Sequence, residues 1–235
     1  MPQVRFWMRC FVIQSTALGL VVAARAESQW IELFAGDEPT KGWVVTEWSD
    51  LKKPAPQQAR WEFVDDTLLG SVPRGTWLVS EAEYGDFELE FEWRLGPRGN
   101  GGVALRSPMR GDPAFDGLEL QMVDPRYFPA DQAPKPSELT GSFYRAAAPR
   151  VQVFKPEDWN LYEIVCRGPG IKVVLNGELI QDLNLDEQIA RPLRHDGSEA
   201  PTLKDRPRRG HIGFQELSRG GGRVEIRRAR IRTLD

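Results

Sequence analysis

The sequence predicts an all-β fold in which two antiparallel sheets pack as a β-sandwich or jelly roll. Residues Asp86–Leu95 alternate strictly between apolar and charged side chains, as a strand with one buried face does. Similar short runs recur along the chain, separated by Gly, Pro, Asn and Asp. No long segment has the apolar periodicity of a helix, which excludes a helical bundle, a Rossmann sheet and a βα-barrel.

Apolar alternation and turn residues place about a dozen strands along the chain. In order, the predicted strands are Trp30–Phe34, Trp43–Thr46, Arg60–Val64, Leu68–Ser71, Trp77–Ser80, Asp86–Leu95, Val103–Arg106, Gly117–Val123, Trp159–Arg167, Ile171–Leu175, Glu178–Leu183, His211–Gln215 and Val224–Thr233. Asn176-Gly177 predicts a two-residue hairpin, because both turn positions favour positive φ. The alternation changes phase after Ile226, which predicts a β-bulge near Arg227-Arg228.

Two long segments lack the strand pattern. The first long loop, Pro125–Lys155, is rich in Pro and Ala and carries several aromatic residues. The second long loop, Arg191–Arg209, is polar and charged. Long loops in compact domains are often functional, and both loops follow strands. We therefore expect them to frame a cleft at a sheet surface.

Residues 1–26 have the pattern of a secretory signal peptide. Arg5 and Arg9 precede an apolar run, and Ala24-Arg25-Ala26 fits the cleavage rule. A permanent membrane anchor is the alternative, but Gln14–Thr16 interrupt the apolar run that it needs. We expect residues 27–235 to form a single exported domain, periplasmic or secreted, with no membrane span after cleavage.

The charge balance argues against nucleic acid as a partner. Loss of residues 1–26 changes the formal net charge from −3 to −6, because three arginines leave with them. Sequence-independent nucleic-acid binding depends on clustered Lys and Arg. The two basic clusters, Arg206–Arg209 and Arg227–Arg232, are expected to be solvated surface. Cys166 would be the only remaining cysteine and is expected to be a small buried apolar residue.

Polar side chains recur on the face of several strands that points away from the predicted core. Glu119 and Gln121 alternate with Leu118, Leu120 and Met122. By the same alternation Arg106 lies opposite Val103 and Leu105, while His211 and Gln215 lie opposite Ile212 and Phe214. If these strands adjoin in one sheet, they form a polar surface suited to a carbohydrate. The alternative is an ordinary solvated outer face.

Other site types have little support in the sequence. There is no Gly-x-Ser-x-Gly motif, no zinc-site spacing of His195 and His211, and no glycine-rich loop that opens a helix. Asp124 ends the strand of Glu119, so these two carboxylates are compatible with a divalent cation such as calcium. Trp48 lies in a polar loop and is the tryptophan best placed to stack on a sugar.

An ordered set of short motifs resembles the 3-keto-disaccharide hydrolase domain family. The motifs are Trp30–Asp37, Lys41–Trp43, Tyr84–Leu89, Gly99–Arg106, Glu119–Asp124, Thr140–Tyr144, Lys155-Pro156, Trp159-Asn160 and Gly210–Gln215. The resemblance spans about residues 29–234. It implies a concanavalin A-like lectin/glucanase fold and an exported enzyme that cleaves glycosides oxidised to a ketone at C3.

A 3-keto sugar allows cleavage by elimination. The ketone acidifies the C2 proton, so a base can remove it while hydrogen-bond donors stabilise the enolate. The C1 substituent then leaves, and water adds afterwards. We expect Glu119 to act as the base or to orient a base or metal, with His211 as a second candidate base. Arg106 and Gln121 would hold the oxyanion or sugar hydroxyls, and Asp124, Gln215, Tyr144 and Lys155 would complete the site.

The chain departs from the family pattern at two positions. Leu217 occupies the place of a histidine, and Gly101 that of a serine. This departure supports an alternative function, a non-catalytic carbohydrate-binding or lectin-like module. A structural domain with no small ligand is a third possibility, and the oligomeric state is open.

Overall fold

We describe residues 29–234 from a computed structural model. The predicted signal peptide, residues 1–26, lies outside this range. The described chain forms thirteen strands: β1 Ile31–Glu32, β2 Trp43–Glu47, β3 Arg60–Val64, β4 Thr67–Val72, β5 Thr76–Tyr84, β6 Phe87–Leu95, β7 Asn100–Ser107, β8 Leu118–Val123, β9 Asn160–Arg167, β10 Gly170–Leu175, β11 Glu178–Asn184, β12 Gly210–Glu216 and β13 Val224–Thr233. Every predicted strand segment overlaps one of them, so the all-β prediction is confirmed.

The strands form two antiparallel sheets. The five-stranded sheet has the order β2-β5-β12-β7-β8. The eight-stranded sheet has the order β11-β10-β9-β6-β13-β4-β3, with β1 also paired to β13. Helical structure within residues 29–234 is limited to one short α-helix, α1 (Pro113–Asp116), and to 3₁₀ turns at Pro125–Tyr127, Pro136–Glu138, Leu185–Glu187 and Leu203–Asp205. No helix in the same range has the length and apolar character needed to cross a membrane.

The core lies between the two sheets. β6 contributes Phe87, Leu89, Phe91, Trp93 and Leu95, all fully buried. Facing them, the five-stranded sheet contributes a second buried set: Val103, Leu105, Leu118, Leu120, Met122, Ile212 and Phe214. These are the side chains that the alternation pattern assigned to the interior. Cys166 is also buried there, as expected, and its burial raises the pKa of its thiol to about 12.

The charged face of β6 forms a ladder of ion pairs. Glu88, Glu90 and Glu92 pair with arginines of β13, and Arg94 pairs with Glu225. Strand β13 also contains the predicted bulge, since its pairing with β6 shifts between Arg227 and Arg230 and Arg228 has φ of 51°. The Asn176-Gly177 hairpin is confirmed by φ values of 53° and 87°.

Arg106 does not face the predicted polar surface. Between Ala104 and Ser107, β7 places two residues opposite Ile212 of β12, which is a bulge, and Arg106 has φ of 51°. The bulge inverts the expected alternation, so the side chain turns away from the sheet's outer face. Its guanidinium is fully buried and donates to the carbonyls of Gly85 and Gly168 at 2.7 Å and to Asp86 at 3.0 Å. The expected place of Arg106 in the ligand site is therefore not observed, because its donors join the connection between β5 and β6 to the turn between β9 and β10.

We expect Arg106→Met to destabilise the fold rather than to act on a ligand. The substitution leaves two carbonyls and one carboxylate without their buried donor, which costs at least about 3 kcal/mol in the free energy of unfolding. Urea denaturation measures this difference. The exposed Arg110 provides a matched control, since Arg110→Met should change stability by less than about 0.5 kcal/mol. Equal stability of the two variants would contradict this role.

Candidate functional site

A cavity of about 730 Å³ lies on the outer face of the five-stranded sheet. Its base is a polar floor formed by Asn100, Glu119, Gln121 and Gln215, which come from β7, β8 and β12. The first long loop contributes one set of wall residues: Tyr127, Phe128, Pro129, Gln132, Ala133, Pro134, Glu138, Tyr144 and Arg145. The second long loop contributes His195. Both loops therefore frame a cleft, as the sequence predicts.

Alternation along the strands creates the polar floor. On β8, Glu119 and Gln121 point into the cavity while Leu118, Leu120 and Met122 enter the core. All four floor side chains are nevertheless buried, with exposed fractions between 3% and 7%. The predicted convergence of Glu119, Gln121 and Gln215 is thus observed.

Gly102 provides the space that Glu119 occupies. It pairs with Gln121 across the β7–β8 ladder, next to the Ala104–Glu119 pair. A Cβ atom built at Gly102 would lie 2.9 Å from Cγ of Glu119 and closer still to its carboxylate. Only a residue without a side chain lets the Glu119 carboxyl lie against β7.

Glu119 has no hydrogen-bond partner for its carboxyl group among residues 29–234. Burial raises its pKa well above the ordinary value, and the nearby Asp112 carboxylate raises it further. Arg206 opposes these effects. Burial therefore favours the protonated form of this carboxyl, and its polar atoms are free to bind a ligand in the cavity.

The amides of the floor are also incompletely bonded within the described chain. Oδ1 of Asn100 is buried and accepts no hydrogen bond. Gln121 accepts one from the Met122 N–H at 3.1 Å, which leaves its amide nitrogen available. Buried polar groups normally have partners, so these open positions indicate a polar ligand or ordered water.

Asp112 lies beside Glu119 at the start of α1. It is the N-cap residue of this helix and accepts from the Ala114 N–H at 3.0 Å. Burial raises its pKa to about 7, and the neighbouring Asp116 carboxylate adds to the effect. The site therefore contains two buried carboxyl groups whose pKa values both lie above the usual range.

Arg206 is buried behind these carboxyls, not solvated as we expected. Its guanidinium donates to the carbonyls of Ala114 and Gly117 at 3.0 and 2.9 Å. Burial lowers the pKa of Arg206 to about 10. The apparent basic surface cluster thus includes a residue that anchors α1.

An aromatic wall surrounds one end of the cavity. The rings of Trp48, Phe115 and Tyr144 each lie within 6.4 Å of the His195 ring, measured between centroids. Trp48 is half-buried, and its carbonyl accepts from the Trp77 indole N–H at 3.0 Å. Trp48 and Tyr144 thus line the cavity where the sequence places a sugar-stacking group.

Three other predicted site residues lie outside this cavity. Nδ1 of His211 is 2.8 Å from the Ser80 carbonyl oxygen, and the pairing of β12 with β5 is irregular beside it, between His211 and Gly213. Asp124 accepts from the backbone N–H and Nε of Arg126, both at 2.8 Å, so it caps a turn. Lys155 is exposed, and its backbone bonds the Asn160 side chain. None of the three lines the cavity.

The sequence analysis missed Asp112 and His195. Asp112 precedes Pro113, a pair typical of a helix start, so a capping signal was present without any indication of a site. His195 lies in the second long loop, and only the fold brings it to the strands.

Within residues 29–234, no group of three or more His, Cys, Asp and Glu side chains could hold a metal ion. In particular, Asp124 does not join Glu119.

The opposite end of the cavity combines aromatic, apolar and cationic groups. The Arg219 guanidinium lies 4.3 Å from the Tyr127 ring centroid. Arg74 donates to the Tyr127 hydroxyl at 3.3 Å and to the Leu217 carbonyl at 2.9 Å. Leu217 itself lines the cavity.

Comparison with known proteins gives one family and several similar folds. Residues 29–232 match the 3-keto-alpha-glucoside-1,2-lyase-like domain family. A candidate glycosyl hydrolase from Parabacteroides distasonis is 24% identical, with a TM-score of 0.69 over 88% of this chain and 100% of that one. A second candidate glycosyl hydrolase from the same organism is 21% identical. The match has a TM-score of 0.66 and covers 88% of this chain and 94% of that one. A Bacillus subtilis protein with a galectin-like fold is 12% identical. The match has a TM-score of 0.53 and covers 87% of this chain and 98% of that one. No match is found among curated proteins.

The raised pKa of Asp112 predicts that stability falls as pH rises. The folded state holds this proton up to about pH 7, whereas the unfolded chain releases it near 3.8. The contribution to stability is therefore complete below about pH 4 and is lost through pH 7, by at most about 4 kcal/mol. Asp112→Asn keeps the helix cap and removes the titration. Urea denaturation should show a variant more stable than the parent at pH 8 and equal to it at pH 4.

The exposed Asp131 supplies the control for this comparison. Asp131→Asn should leave the pH dependence of stability unchanged. A parent and an Asp112→Asn variant with the same pH dependence would contradict the buried, proton-holding state of Asp112.

Proposed function

We propose that this chain, which belongs to the 3-keto-alpha-glucoside-1,2-lyase-like domain family, cleaves glycosides whose sugar carries a ketone at C3. The family and the similar structures make it a carbohydrate-active protein. The finer activity is our proposal, as is its location: the sequence of residues 1–26 favours action after export to the periplasm or the medium.

One observation carries the proposal: a buried carboxyl with no hydrogen-bond partner among residues 29–234 lies among incompletely bonded amides at the base of a sugar-sized cavity. A sugar ring presents several hydroxyls, and amide side chains can both donate to and accept from them. Gln121 and Gln215 have amide N–H groups that can bond an oxygen bearing negative charge. The walls offer the aromatic side chains of Trp48 and Tyr144 for apolar contact.

The reaction begins with loss of the C2 proton. A base takes the proton, the C2–H electron pair forms a C2=C3 double bond, and the ketone oxygen becomes an enolate. Amide donors of the polar floor stabilise this charge. The carbonyl then re-forms, a C1=C2 double bond replaces C2=C3, and the C1–O bond breaks. The departing oxygen takes a proton, after which water adds its hydroxyl to C1 and a proton to C2.

Glu119 fits the proton-donor role in this sequence. The sequence analysis expected it to act as the base, but a carboxyl whose burial favours the protonated form is better suited to protonate the leaving oxygen. This role is our proposal, and it leaves the base to another residue of the cavity.

A carbohydrate-binding module is the second candidate function. The same floor could hold a sugar without cleaving it. Leu217 favours this alternative, because it brings an apolar side chain into the cavity at the position where the family pattern has a histidine. Sugar binding without turnover would support this function.

We expect purified protein without residues 1–26 to release sugar from a 3-keto-disaccharide and not from the parent disaccharide. The absent ketone in the parent removes the acidity of C2–H. In D₂O the product should carry deuterium at C2, because the proton lost there is replaced from solvent. Glu119→Gln cannot donate the proton and should slow release at least about 100-fold.

The exposed Glu81 gives the matched control, and Glu81→Gln should retain the full rate. Thermal unfolding checks that both variants fold. Cleavage of the parent disaccharide at the same rate would contradict the elimination route, and full activity of Glu119→Gln would contradict the donor role.

A further inference from the structure

We propose that His195 is the base that removes the C2 proton, a proposal that rests on the function above. His195 is one of two histidines in the chain and lines the cavity, whereas His211 does not. It lies on the second long loop, opposite the strands that carry the polar floor. The residue is exposed, so a proton that it accepts can pass to solvent.

The chain around His195 forms a tight turn. Leu193 and Glu199 pair as an antiparallel bridge, and the Arg194 N–H donates to the Ser198 carbonyl at 2.8 Å. The Gly197 N–H returns to the Arg194 carbonyl at 3.1 Å, with φ of 85° at Gly197. His195 is therefore held near the tip of a hydrogen-bonded turn.

Two arginines fix this turn against the rest of the cavity. Arg194 binds both carboxylate oxygens of Asp116 on α1, at 2.7 and 3.2 Å. Arg145 donates to the carbonyls of residues 193 and 194 at 3.3 Å, while its Nε bonds Glu138 at 2.9 Å. A side chain used in catalysis needs this kind of support, since small displacements reduce rate strongly.

The ring itself is positioned by aromatic contacts and not by hydrogen bonds. Phe115, Tyr144 and Trp48 surround it at centroid distances of 5.4, 5.8 and 6.4 Å. Among residues 29–234 neither ring nitrogen has a hydrogen-bond partner, so both remain available. This differs from His211, whose Nδ1 is bonded to a backbone carbonyl.

The electrostatic environment keeps the imidazole neutral at pH 7. Desolvation lowers its pKa below the ordinary value, and Arg145 lowers it further. Glu138 and Asp196 act in the opposite direction. Tyr144 stays protonated, because burial raises its pKa. A neutral imidazole has the free nitrogen lone pair that proton removal requires.

The other titratable groups of the cavity are less suited to this step. Burial raises the pKa of Glu119 and so favours its protonated form, and Asp112 already accepts from the helix it caps. The roles therefore divide between two residues. The C2–H bond breaks as an N–H bond forms on His195, the electron pair enters C2=C3, and Glu119 later gives its proton to the oxygen that leaves C1.

A substrate analogue without a leaving group separates these roles. A 3-keto sugar with hydrogen in place of the C1 substituent can exchange its C2 proton but cannot eliminate. In D₂O, NMR should show enzyme-dependent deuterium uptake at C2. His195→Gln should reduce this exchange at least about 100-fold, whereas Glu119→Gln should change it by no more than a few-fold while losing disaccharide cleavage.

The exchange rate should fall with decreasing pH as His195 becomes protonated, and Asp112→Asn should retain that decrease.

His211→Gln is the matched control and should keep both exchange and cleavage, provided that thermal unfolding confirms its fold. Exchange that persists in His195→Gln while the parent enzyme cleaves its substrate would overturn the role of His195 and leave the proposed function intact. Failure of the parent to cleave any 3-keto-disaccharide would instead overturn the proposed function, and this inference with it.

Discussion

The packing of the two sheets fixes which side chains meet at the cavity. Once Leu118, Leu120 and Met122 enter the core, Glu119 and Gln121 must lie on the opposite face of β8. The same constraint places Gln215 beside them through β12. Burial of the apolar side chains thus supplies the free energy that holds polar groups in positions they would not adopt alone. The site is a consequence of the core.

Burial of carboxyl groups at the cavity costs free energy, because it removes them from water. Two carboxyls are buried near each other, and Arg206 opposes the rise in the pKa of Glu119 while donating to carbonyls at the end of α1. On the far sheet the charges of β6 and β13 are instead matched pairwise at the surface. The cavity instead holds two buried carboxyls with raised pKa values, and perturbed pKa values are typical of functional sites.

The sequence predicts the strands, the core and half of the candidate site, because alternation is a local property of extended chain. It fails for Arg106 because a bulge in β7 changes the alternation, and a single left-handed residue leaves little trace in the residue pattern. It fails for His211 because the ring bonds the Ser80 carbonyl of β5, a contact that the residue pattern does not reveal. Asp124 and Lys155 were misplaced for a related reason: a polar residue at a strand end serves equally well to close a turn. His195 was missed because its neighbours Phe115, Trp48 and Tyr144 are distant in sequence and meet only in the folded chain.

The close fit between Gly102 and Glu119 has a consequence for how the protein can change. Any side chain at 102 competes with the carboxyl for one space, so the two positions are coupled and their substitutions cannot be independent. If Glu119 is first replaced by a shorter residue, a larger residue can later replace Gly102. In the reverse order, the new side chain at 102 clashes with the Glu119 carboxyl. Once position 102 carries a side chain, a glutamate at position 119 no longer has the space that its carboxyl needs. Loss of this carboxyl in evolution would then be difficult to reverse.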